Sequence, residues 1–137
     1  MVTIATDVPT SDELIGLYTS VGWSAYTRDP DLLEAAVSGA HLVVTARVDG
    51  VLVGLVRTVS DGATIAYVQD VLVRPEHQRT GVGRALLAEV LRRYDHVRQT
   101  VLLTDAEPGQ RAFYESLGFV EAHDVEPAPL RSFVLLR

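Results

Sequence analysis

Apolar positions along this chain recur every second residue in some stretches and at helical spacing in others. The two rhythms predict its elements. Residues 2–6 alternate weakly and read as a first strand. Thr10-Ser11-Asp12-Glu13 is a helix start, with hydroxyl caps and acids in the first turn. Leu14, Leu17, Tyr18 and Val21 follow at helical spacing, and Gly22 closes the run. Trp23 and Tyr26 fall in the next loop. Pro30, after Asp29, opens a second short helix that ends near Gly39.

Three antiparallel strands are then predicted. Residues 41–48 are rich in β-branched side chains, and Asp49-Gly50 is a hairpin signal. Residues 51–60 form the return strand, Asp61-Gly62 reads as a second turn of the same kind, and residues 64–73 form the third strand. After the loop Arg74-Pro75-Glu76-His77, a helix runs from near Gly81 to about Tyr94. On it Gly83, Leu87, Val90, Leu91 and Tyr94 share one face, and Arg84, Ala88 and Arg92 another. Residues 100–104 make a short strand, and residues 108–117 a helix capped by Gly118. Residues 119–123 and 132–136 are expected as late strands. The order is β-α-α-β-β-β-α-β-α-β-β, one mixed α/β domain over residues 1–137 without linker or repeat. The strand–helix–strand step from 64–73 to 100–104 is a crossover, so those two strands should be parallel.

Composition narrows the chemistry. The 137 residues include no cysteine, which excludes disulfides, thiolate zinc sites and a cysteine nucleophile. No metal is expected. All 12 basic residues are arginine, so a Schiff-base or P-loop lysine is excluded. The net charge of −6 disfavours nucleic acid and favours cationic partners. The start of the chain lacks the pattern of a signal peptide. No stretch approaches the roughly 18 uninterrupted apolar residues of a membrane helix. A cytoplasmic protein is expected.

The segment Gln78-Arg79-Thr80-Gly81-Val82-Gly83 joins a strand to a helix. A helix start leaves amide protons unpaired and carries positive dipole, and glycines let an anion approach the backbone. The loop therefore reads as a pyrophosphate cradle, although the same glycines also tighten turns that bind nothing. Between Arg74 and Arg93 five arginines face two acids, a basic island in an acidic chain.

Val71-Leu72-Val73-Arg74-Pro75 followed by Gln78-Arg79-Thr80-Gly81-Val82-Gly83-Arg84 resembles the acetyl-coenzyme A motif of the GNAT superfamily of N-acetyltransferases. Phe113-Tyr114-Glu115-Ser116-Leu117-Gly118-Phe119 resembles the family's second signature, a helix–strand junction. The resemblance covers nearly the whole chain. It implies a twisted, mixed, mostly antiparallel sheet with helices on both faces. It also implies acetyl-CoA as co-substrate, bound by Gln78, Arg79, Thr80, Gly81, Val82, Gly83 and Arg84, with its pyrophosphate on the backbone amides from Arg79 to Arg84. Val71, Leu72 and Val73 would pair with the pantetheine arm as an added strand. The two parallel strands splay in the family, which would admit the thioester. Tyr114 matches the tyrosine near the coenzyme sulfur, where its hydroxyl would protonate the leaving thiolate. The asparagine many relatives carry before that tyrosine is missing, so Glu107 or Gln110 would take its place, or nothing would.

Attack on a thioester needs an unprotonated amine, so some group or water chain must accept a proton. Asp70, a carboxylate inside an apolar run, is the first candidate for that base. Some relatives use a position where this chain has Tyr67. Simple alternation puts Tyr67 and Asp70 on opposite faces, and a β-bulge in this strand, which the resemblance implies, would change that parity. His77 and Glu76 are weaker candidates. Trp23 and Tyr26 lie in the loop that covers the acceptor cleft in the family and would hold a cationic or aromatic amine. Arg28, Asp29 and Asp31 add polarity there.

The sequence reading is thus an acetyl-CoA-dependent N-acetyltransferase acting on a small-molecule or peptide amine, by direct attack in a ternary complex. The alternatives are a non-catalytic acyl-CoA-binding module and an enzyme for proteins or aminoacyl-tRNA. The apolar run Phe133-Val134-Leu135-Leu136, with family analogy, suggests a homodimer.

Overall fold

Asp49 and Gly50 take left-handed φ values of 50° and 80°. Two such residues make the hairpin turn whose twist matches its strands. That turn joins β2 (Leu42–Val48) to β3 (Val51–Ser60). The next turn differs from its expected form. Only Gly62 has positive φ, and the Asp61 carboxylate instead accepts bonds from the amides of Ala63, Thr64 and Ile65. It leads into β4 (Ile65–Val73).

The computed structural model describes residues 1–137, and the contacts divide them into two compact units, residues 1–103 and residues 104–137. The first holds a five-stranded sheet in the order β1-β2-β3-β4-β5, with β1 Val2–Thr6 and β5 Gln99–Leu102 at its edges. The first four strands pair antiparallel, and β4 pairs parallel with β5, as the crossover requires.

Both faces are covered. Leu14, Leu17 and Tyr18 of α1 (Ser11–Ser20) and Leu33 and Val37 of α3 (Pro30–Ser38) pack against Val43, Leu52, Leu55 and Leu72. The helix α4 (Val82–Arg93) covers the other face, and the adjacent β3 residues show the division. Arg57 reaches Tyr26 and Asp70, while the Thr58 hydroxyl meets Tyr94 Oη at 2.6 Å. The buried face of α4 is Val82, Leu86, Leu87 and Val90, with Tyr94 just beyond it, so Val82 and Leu86 join the expected set while Gly83 and Leu91 sit at its margin. Gly54 of β3 lets this helix approach. A Cβ there would stand 3.0 Å from Leu86 Cδ1 and 3.2 Å from Val82 Cγ1.

The start of α1 is a capping box. The Glu13 amide donates to Thr10 Oγ1 at 3.2 Å, and the Thr10 amide donates to Glu13 Oε1 at 3.0 Å. Arg47 on β2 closes the cluster with ion pairs to Glu13 and Asp7. The Arg47 bond, then the Thr10 amide, lower the Glu13 carboxyl from 4.5 to about 2. A depressed carboxyl stabilises the fold above its unfolded value and loses that contribution as pH falls through the folded one. Glu13→Gln should therefore cost about 1 kcal/mol at pH 7. The difference from the parent protein should fade as pH falls from 4.5 towards about 2, which urea titrations across that range will measure.

Two features depart from the expected order. A four-residue turn of helix, α2 (Ser24–Thr27), occupies the loop after α1. The late strands do not form. In the second unit α5 (Pro108–Ser116) is followed by a 3-10 turn at Ala122–Asp124 and then by no regular structure. β-branched and apolar residues favour a strand only where a neighbouring backbone completes the ladder. Residues 132–136 have no such neighbour, and Phe133 and Leu136 are 90% and 87% exposed.

Candidate functional site

The strand β4 changes face partway along. Asp70 pairs with Arg57, but Val68 pairs with Thr58, so Gln69 is an extra residue opposite no partner. This β-bulge puts Tyr67, which pairs with Val59, on the same face as Asp70. It also marks where β4 and β5 part. Their pairing runs from Ile65↔Gln99 to Val68↔Leu102 and stops, leaving residues 69–73 without a strand partner on that side. Val71, Leu72 and Val73 lie in this stretch.

The Asp70 carboxylate is 2% exposed and is held by three donors. Arg57 Nε donates to Oδ2 at 2.5 Å, Tyr18 Oη to Oδ2 at 2.8 Å, and Tyr26 Oη to Oδ1 at 3.2 Å. Arg57 is itself 8% exposed, so the pair is taken out of water together. Burial first, then the Asp70 charge, push the Tyr18 hydroxyl far above its ordinary range, so Tyr18 keeps its proton. Trp23 and Tyr26 are half-buried beside it, with ring centroids 5.9 Å and 5.2 Å from Tyr18. Asp70, Tyr26 and Trp23 therefore come together as one cluster. Sequence reasoning missed Tyr18, which reads as a core residue, and Arg57. The signal for Arg57 was available: it is the one charged residue in the apolar strand 51–60.

At the other end of β4 the chain turns into α4. Arg79 and Gly81 take left-handed φ values of 62° and 90°. Thr80 Oγ1 donates to the His77 carbonyl at 2.5 Å, and Gln78 Nε2 to the Val73 carbonyl at 3.0 Å. The side chains of Gln78 and Thr80 are thus occupied in shaping the loop. The helix bonding starts with the Ala85 amide on the Gly81 carbonyl, and no side chain caps the end. The amides of Val82 and Gly83 precede that first bond, in an electropositive position. His77 and Glu76 stand in the 3-10 turn before this loop, away from the Asp70 hydrogen bonds.

In the second unit Tyr114 lies half-buried on α5, edge-on to Phe113 at 5.1 Å and to Phe119 at 5.8 Å. Burial, then the Asp105 charge, raise its hydroxyl above the ordinary value. Glu107 caps α5 without a side-chain bond. Arg111 on the same helix pairs with Glu115, Glu121 and Asp124.

The two parallel strands thus separate beside an uncapped, glycine-turned helix entry, leaving an open strand edge next to the helix-start amides. Residues 18–127 match the acetyltransferase (GNAT) domain family. The chain belongs to that family. It is 27% identical over 116 residues to an uncharacterized N-acetyltransferase of Pyropia yezoensis, covering 82% of this chain and 66% of that protein. It is 31% identical over 120 residues to the namesake of Gracilaria tenuistipitata var. liui, covering 82% of this chain and 63% of that protein. The chain thus spans less than two thirds of these curated relatives. Among solved structures, a GNAT family acetyltransferase of Streptococcus pneumoniae superposes with TM-score 0.84 at 29% identity, covering 100% of this chain and 98% of its own. A more distant structure, TM-score 0.67 at 20% identity over 96% of this chain and 99% of its own, was solved with the bisubstrate analogue CoA-S-monomethyl-acetylneamine. No helix of the protein is long and apolar enough to cross a membrane.

Proposed function

We propose that this protein is an acetyl-CoA-dependent N-acetyltransferase acting on a primary amine of a small molecule or peptide in a ternary complex. The observation that carries the reading is the unpartnered edge of β4 at residues 69–73, next to the turn at Gly81. An extended pantetheine arm fits such an edge as an added strand. The backbone from Arg79 to Arg84 suits its pyrophosphate. That a coenzyme A analogue occupies a distant protein of this fold agrees with the assignment.

In the reaction proposed, a carbon–nitrogen bond forms as the carbon–sulfur bond breaks. The amine loses a proton to water in the acceptor cleft, and the departing sulfur gains one from a side chain, which water then reprotonates. Tyr114, whose hydroxyl is raised and so retains its proton, is the proposed donor to that sulfur. A backbone amide at or near Val71 is the proposed partner of the thioester oxygen. Asp70 belongs to the acceptor side with Trp23 and Tyr26. We read the protein as cytoplasmic and as a homodimer that covers the exposed Phe133–Leu136 run, with no nucleic-acid partner.

Acetyl-CoA should raise the melting temperature where adenosine does not. A panel of spermidine, tyramine and a short peptide with a free amino terminus should then show release of coenzyme A thiol. Tyr114→Phe should lower kcat by about 100-fold, the lower range for a lost proton donor, with acetyl-CoA affinity unchanged. Absence of any thermal response to acetyl-CoA would overturn the reading.

A further inference from the structure

Four side chains from separate segments meet at Asp70, and binding the donor explains none of them. Tyr18 comes from α1, Tyr26 from α2, Arg57 from β3 and Asp70 from β4. A carboxylate offers about four lone-pair positions, and here three are taken. Tyr18 is fully buried, and its 2.8 Å bond makes it a fixed part. Tyr26 is the more weakly held part. It is half-buried, and all its hydroxyl contacts are longer: 3.2 Å to Asp70, 3.4 Å from Arg57 Nη2 and 3.5 Å from Gln69 Nε2. The Arg57 guanidinium also lies 5.8 Å from its ring centroid.

Apart from the packing of the Trp23 and Tyr26 rings against the core beside Tyr18, these contacts are the side-chain bonds that hold α2 to the sheet. The helix is four residues long, Trp23 caps it without a side-chain bond, and none of its residues is buried. A helix of that length does not persist on its own. We propose that Asp70 is a positioning residue, the fixed half of a latch whose other half is Tyr26. The latch holds the Trp23–Tyr26 turn on the sheet and thereby sets affinity for the acceptor amine, while leaving the Gly81 loop untouched. The second clause rests on the reading of Trp23 and Tyr26 as acceptor-side residues. The first does not.

Trp23 is the only tryptophan of the chain and its ring centroid is 6.2 Å from that of Tyr26, so its fluorescence reports the latch directly. Tyr26→Phe keeps the ring and removes the hydroxyl. Acrylamide quenching of Trp23 should rise by about twofold or more as the turn opens locally. The thermal shift with acetyl-CoA should stay as in the parent protein. On any of the three amine probes that is acetylated, the acceptor KM should rise about threefold to tenfold with kcat retained, the worth of one hydrogen bond. Asp70→Asn should move the same readouts further in the same direction, and Tyr26→Phe decides alone if that variant does not fold. Unchanged Trp23 quenching in Tyr26→Phe overturns the latch. A fall in kcat with a displaced pH–rate limb and unchanged acceptor KM overturns it too, because Asp70 then handles the proton itself. Failure of the parent protein to bind acetyl-CoA would instead sink the transferase reading, with the quenching result still deciding the latch.

Discussion

Asp70→Ala should cost about 3–5 kcal/mol of folding stability at pH 7. The loss comes from what stays behind. Arg57 would keep its charge at 8% exposure with no counter-ion, and the fully buried Tyr18 hydroxyl would lose its acceptor. Each of these penalties is larger than the net worth of the bonds themselves, because desolvation is no longer offset. Against a domain stability of about 5–15 kcal/mol, the variant will be marginal. The double variant Arg57→Met with Asp70→Leu should recover most of the loss, since it removes both charges and keeps the volume. Urea denaturation of the three proteins measures this. A single-variant loss under about 1 kcal/mol would mean that water reaches the pair and screens it.

The second large effect concerns the turn into α4. Gly81→Val should weaken acetyl-CoA binding by about tenfold, equivalent to about 1.4 kcal/mol. At φ 90° a side chain is strained by its own backbone, and a Cβ at this position meets nothing within 4 Å. The cost is therefore conformational, about 1–2 kcal/mol, and it falls on the geometry that presents the amides of Val82 and Gly83. Gly81→Asn should retain most of the affinity, because asparagine enters the left-handed region more readily. Calorimetric titration with acetyl-CoA compares the two. Equal binding by parent and Gly81→Val would remove this loop from the donor site.

Most of the first unit was readable because its signals are local. Asp49-Gly50 requires left-handed backbone, and the pair adopts it. The parallel pairing of β4 and β5 followed from the intervening helix alone. The helix α2 was not readable, because four residues give no period. The family resemblance implied a bulge in this strand, but its position at Gln69 was hidden in the residue pattern for a different reason. Burial alternates straight through it, from Ala66 and Val68 to Asp70 and Leu72, although the first two face α4 and the last two face α1. With both faces covered, a change of face leaves no mark on the pattern. The late strands failed because Phe133–Leu136 has strand-like composition but no neighbour, and pairing is not encoded in one segment. For the site, an isolated charge in an apolar strand was the useful sign. It found Asp70 and would have found Arg57, whereas nothing local separates Tyr18 from the leucines around it.

The extra residue in β4 has a consequence for how the strand pair is kept ajar. Removing Gln69 would leave Val68 and Asp70 adjacent, opposite the adjacent Thr58 and Arg57, with every side chain still on its present face. The core would not notice. The strand would run straight past the point where β5 now lets go, free to zip the ladder onward beyond Leu102 and shut the notch. One exposed glutamine would thus act as a spacer, protecting a gap that regular pairing would otherwise heal.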